Sequence, residues 1–162
     1  EWCGQTFMQI NQRTEAFEGM HHSYFQGESD QNYTIPKNAI FEDDLWTMVR
    51  KNPKQLPTGK VEVVPAMQFL RMRHKACQPV SATASLSENT ESGEMTYTVE
   101  YAGLGRTFKI NFKSDFPYSI QSWEEQDGGL TTKATLKKQM MLDYWSRNSV
   151  SDSKYREELG LE

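Results

Sequence analysis

The side chains with most chemistry to offer in this 162-residue chain are its three histidines, two cysteines and eight methionines. Met20-His21-His22 and Met72-Arg73-His74 with Cys77 place imidazole, thioether and thiol close together in sequence, the soft donors that select copper. On a strand, neighbouring side chains point to opposite faces, so His21 and His22 are not expected to share an ion. No resident metal or other cofactor is therefore expected. A copper site built from both clusters stays open as an alternative, as does a hydrolase with His21, His22 or His74 as base. The hydrolase needs a carboxylate or a serine within hydrogen-bond reach of one of those rings.

Other constellations have ordinary explanations. Arg71, Arg73, His74 and Lys75, with Lys109, Lys113, Lys133 and Lys137, could form a basic stripe for an anionic ligand, although a solvated sheet face reads the same way. Glu42-Asp43-Asp44 suits the positive end of a helix dipole, and Glu124-Glu125 lies beside a turn. The chain contains no G-x-S-x-G elbow, no G-x-x-x-x-G-K-[ST] loop and no G-x-G-x-x-G loop, which removes the enzymes built on them. Cys3 and Cys77 lack CxxC or zinc spacing; they either close a long disulfide loop or stay as buried thiols.

The elements that must position these groups read mainly as strands. Val80, Ala82, Ala84 and Leu86 alternate with serine and threonine, as do Met95, Tyr97, Val99 and Tyr101, and then Phe108, Ile110 and Phe112. A strand from Tyr118 to Glu125, the turn Gln126-Asp127-Gly128-Gly129 and a long strand from Leu130 to Met140 complete a five-stranded meander over residues 80 to 141. Upstream, Thr6 to Arg13 and Phe17 to Gln26 suggest a hairpin. Asn38 to Asn52 reads as a helix with an apolar stripe at Phe41, Leu45, Met48 and Val49, stopped by Pro53. Lys60 to Lys75 reads as a strand interrupted at Pro65, with a helix from Ala66 as the competing reading. Ser151 to Leu159 suggests a short terminal helix closed by Gly160.

The expected fold class is β-rich α+β: a curved antiparallel sheet of roughly seven to nine strands, a meander forming a half-open barrel, with one packed helix and a short C-terminal helix. The helix, the Leu56-Pro57-Thr58-Gly59 turn and a meander ending in Phe116-Pro117-Tyr118-Ser119-Ile120 and Leu130-Thr131-Thr132-Lys133-Ala134 resemble, in architecture only, the half-open barrels of periplasmic lipoprotein carriers. Residues 1–162 are expected to form a single domain. With 18 basic against 22 acidic residues, a net charge of -4 and mean hydropathy of -0.76, neither nucleic acid nor a membrane-spanning helix is expected. Aromatic residues at 12% exclude a disordered chain.

Glu1-Trp2-Cys3-Gly4, Phe41-Glu42-Asp43-Asp44-Leu45-Trp46, Asn52-Pro53-Lys54-Gln55-Leu56-Pro57, Leu70-Arg71-Met72-Arg73-His74-Lys75, Phe116-Pro117-Tyr118, Ser122-Trp123-Glu124-Glu125, Leu130-Thr131-Thr132-Lys133-Ala134 and Asp143-Tyr144-Trp145 together resemble an uncharacterised family of exported Bacteroidetes proteins. The resemblance runs nearly end to end. It implies the C-terminal half of a longer product behind an export or lipoprotein signal, in keeping with a first residue that is not Met. Some members of that family carry the label septum formation inhibitor Maf. Maf proteins are α/β nucleotide pyrophosphatases with a Ser-Pro-Arg-Arg motif, which this chain lacks, so the resemblance implies a compartment and no active-site residues.

The expectation is thus a non-enzymatic binding or structural module of the cell envelope, in the periplasm or lipid-anchored through its full-length protein. Its partner would be an apolar small molecule or an envelope protein. A ligand would lie on the concave sheet face, lined by Tyr97, Val99, Phe108 and Ile110, with Arg71, Arg73 and His74 as the polar candidates; ordinary core is the competing reading of that face.

Overall fold

A computed structural model describes residues 5–89 and 92–161. The N-terminal segment forms β1 (Thr6–Gln12), β2 (Ala16–Ser23) and β3 (Asp30–Pro36), an antiparallel sheet in the order β1-β2-β3. The expected hairpin is its first two strands. β3 escapes the sequence reading because only Tyr33 and Ile35 alternate within a polar stretch.

Next come β4 (Ile40–Phe41), α1 (Glu42–Lys51), β5 (Gly59–Val64) and α2 (Met67–Met72), then β6 (Val80–Asn89), β7 (Glu94–Tyr101), β8 (Arg106–Lys113), β9 (Ile120–Asp127) and β10 (Leu130–Thr135). β4 to β10 form one seven-stranded sheet in the order β10-β9-β8-β7-β6-β5-β4, antiparallel except where β4 runs parallel to β5. The class is β-rich α+β as expected, but the strands divide between two sheets and the larger one does not close into a barrel. After β10 an irregular stretch with one 3-10 turn at Tyr144–Ser146 leads to a second at Val150–Ser153 and to α3 (Lys154–Glu158), which ends on Gly160 at φ +75°.

Three boundaries differ from the sequence reading for identifiable reasons. The helix begins at Glu42 because Ile40 and Phe41 pair with Val63 and Val64. The strand expected through Lys75 stops at Val64; Pro65 breaks the ladder and the competing helix forms beyond it. The final strand ends at Thr135, opposite Ser122: Leu136 still donates its N–H to the Gln121 carbonyl at 2.7 Å, and beyond it the chain leaves the ladder.

The sheet buries one face. In β8, Arg106, Phe108, Ile110 and Phe112 are buried and the intervening residues are not. Leu45 and Val49 of α1, both at 0% exposure, press against this face with Leu56, Ala82, Ala84, Tyr97, Val99 and Tyr101. A second cluster, Ile35, Phe41, Val64, Phe69, Leu70 and Cys77, joins the small sheet to α2.

Candidate functional site

α1 covers the middle of the large sheet and leaves its β9–β10 side open. There a groove of about 330 Å³ runs between α2 and the sheet. Its strand residues share one face: Arg106 lies opposite Asp127 and Phe108 opposite Glu125, while Leu130 and Thr132 of β10 pair with the same two acids. Trp46 of α1, Phe69 of α2, Phe108 and Trp123 provide aromatic walls. Trp46 and Trp123 meet at 6.2 Å with their ring planes 89° apart, and Trp46 also contacts Phe108 at 5.2 Å.

The inner end is a buried ionic cluster. Arg106 Nη1 donates to Glu42 Oε2 at 2.5 Å and Nη2 to Oε1 at 2.7 Å, while Nε donates to Glu125 Oε1 at 2.6 Å. Tyr101 donates its hydroxyl to Glu42 Oε2 at 2.6 Å. The guanidinium also lies over Phe69 at 4.5 Å and over Tyr101 at 5.2 Å. Burial opposes the Arg106 charge, but the hydrogen bonds and charge of Glu42, then of Glu125, outweigh it and raise its pKa. Burial, followed by the Glu42 charge, raises that of Tyr101. The buried polar groups of the cluster are hydrogen-bonded to one another and form a satisfied floor to the groove.

Neither the pairing of Glu42, expected only to complement the helix dipole, nor any role for Arg106 is evident in the sequence motifs. The dipole argument still holds for Asp43 and Asp44, whereas Glu42 is buried and paired. One available signal was periodicity: Arg106 occupies the inward register of Phe108, Ile110 and Phe112, where an unpaired charge is not tolerated.

The residues expected to line a ligand cavity are distributed differently. Tyr97, Val99 and Ile110 are fully buried beneath α1 and its following turn, Tyr97 donating to the Pro57 carbonyl at 2.8 Å; their face is core, the competing reading. Phe108 alone of the four reaches the groove. Arg73 also lines it and pairs with Asp127, while Arg71 and His74 turn away to Glu28. The basic stripe does not form a common anion surface: Lys113 pairs with Glu94 and Lys133 with Glu124.

The histidines separate. His22 Nδ1 lies 2.7 Å from Asp30 Oδ1 at a pocket of about 540 Å³ lined by Phe7, Ser23 and Tyr24, with Phe7 stacked on the ring. His74, in the left-handed conformation at φ 51°, directs Nδ1 at Glu28 Oε1, while Ser23 donates to Glu28 Oε2 at 3.0 Å. His21 is buried, and neither ring nitrogen makes a well-formed hydrogen bond. Burial, then the Arg71 charge, lowers its pKa. Burial opposes the Glu28 charge, but hydrogen bonds from His74 and Ser23 prevail and lower its pKa.

The soft donors are not assembled. Met72 is exposed, and Cys77 is a buried thiol 4.0 Å from the Met67 sulfur. Cys3 lies outside the described residues, so its pairing with Cys77 does too. Among the described residues no three His, Cys, Asp or Glu side chains converge as a metal site, and no helix is long and apolar enough to cross a membrane.

Comparisons with protein-family models, curated proteins and solved structures find no match to this chain.

Proposed function

We propose that this chain is a non-enzymatic binding module of the cell envelope and that its ligand occupies the groove between α2 and the β8–β10 end of the sheet. The observation that carries the reading is the union of aromatic walls with an ionic floor whose hydrogen bonds are internally satisfied. Such a floor holds its shape without a ligand, and preorganised concave sites bind small molecules best. The exported setting, whether periplasmic or lipid-anchored, and the kinship with exported Bacteroidetes proteins rest on the sequence resemblance.

The test is titration with small aromatic fragments of neutral, cationic and anionic charge, followed by tryptophan fluorescence and by NMR shifts. Shifts centred on Trp46, Phe108 and Trp123 and abolished by Trp123→Ala are expected; fragments that shift only residues elsewhere would overturn the site. Fractionating cells that produce the full-length protein checks the compartment, and recovery in the cytosol would overturn the envelope assignment.

A hydrolase is the second reading, favoured by one geometry. Asp30 on Nδ1 orients the His22 ring so that Nε2 could act as base. The rival pair at His74 is wired differently: Glu28 stands between the serine and the imidazole, whereas nucleophile activation needs the imidazole in the middle. The His22 dyad is open to water, with 79% of the Asp30 side chain exposed. Ester hydrolysis lost on His22→Ala would favour this reading over the binding module.

A further inference from the structure

We infer that the groove takes an organic cation, an ammonium group on a short apolar stem; the inference rests on the groove being the binding site. Its walls have the right electrostatics. Aromatic faces carry negative potential, and the perpendicular indoles of Trp46 and Trp123 form a corner against which an alkylated ammonium packs with little loss of hydration.

Charge points the same way. Four carboxylates, Glu42, Asp43, Glu125 and Asp127, line the groove against two guanidiniums, Arg73 and Arg106. Both guanidiniums are committed, Arg106 to Glu42 and Glu125 and Arg73 to Asp127. An entering anion therefore meets neutralised arginines and surplus negative charge, while an entering cation meets that surplus directly. The Arg106 bond also immobilises Glu125, two residues from Trp123 on the same face, so a carboxylate is held beside the aromatic corner. A neutral apolar ligand would strip water from Glu125 and Asp127, whose side chains are 27% and 22% exposed, and offer nothing in return. A groove of about 330 Å³ suits a small ligand.

Choline and its neutral isostere 3,3-dimethylbutan-1-ol separate charge from shape, and benzoate supplies the anion. With the intact chain, choline is expected to shift the Trp46 and Trp123 resonances and to bind about tenfold tighter than the isostere. Glu125→Gln should erase most of that preference, Trp123→Ala should abolish binding, and Asp127→Asn gives a second charge variant should Glu125→Gln unfold the protein. Equal or tighter binding of the isostere or of benzoate at the same tryptophans would overturn the cation inference and leave the groove reading standing. Silence at those tryptophans from all three probes and from the fragment set overturns both.

Discussion

Arg106 and Glu42 stand 64 positions apart in sequence, yet they form a two-pronged ion pair in which each side chain is 1% exposed. The pair ties the first turn of α1 to the start of β8. Breaking a buried pair leaves a charge without compensation, so Glu42→Gln and Arg106→Ala should each cost about 3 to 5 kcal/mol in urea unfolding. Replacing Glu42, Arg106 and Glu125 together by apolar residues of similar volume should recover much of that loss. A triple variant as unstable as either single one would show that the cluster does more than neutralise itself.

Leu45 centres the buried stripe of α1 and is fully enclosed. Leu45→Ala should cost about 2 to 5 kcal/mol, the lost transfer energy plus an unfilled cavity. An unchanged melting temperature would show that α1 is not docked on the sheet.

Gly19 lies beneath the Tyr33 ring: a Cβ there would come within 2.0 Å of the ring edge. Gly19→Ala should therefore destabilise by about 1 to 3 kcal/mol as Tyr33 is displaced. In a Tyr33→Leu background the penalty should shrink, and a double-mutant cycle measures the coupling. Additive effects would contradict the contact.

Acid should weaken the fold in two stages. The pKa of His21 falls on folding, so its neutral form contributes full stability above 6.5, and that contribution declines as the pH falls below 6.5. The groups that face it are Arg71, Glu28, His22 and Tyr33. Glu28, lowered on folding from 4.5, adds a second loss as the pH falls through and below that value. Thermal melts at pH 7.5 and 5.5 should differ in the native chain and differ less in His21→Leu. An undiminished difference in that variant would remove His21 as the cause.

Much of the large sheet was legible because burial of one face writes a period of two into the sequence. Phe108, Ile110 and Phe112 and the turn at Gly128-Gly129 carry that information locally. β3 and the end of β10 were not legible, since their boundaries depend on which residues a neighbouring strand offers for pairing. The groove was less visible still. Trp46, Phe69, Arg106 and Trp123 come from four elements, and no local pattern says that two short helices leave one side of a sheet uncovered.

The strand order also implies a sequence of events in folding. From β6 to β10 each strand pairs antiparallel with the next across a short connection, so each of those pairings loses little chain entropy. Seating α1 instead joins Glu42 to Arg106 across 64 positions, and its ionic anchor has no partner until β8 is in place. Nucleation therefore belongs to the hairpins, with low-contact-order pairing setting the rate and the helix clamping the finished sheet afterwards. Substitutions in β7 and β8 should slow folding, whereas Leu45→Ala should chiefly accelerate unfolding.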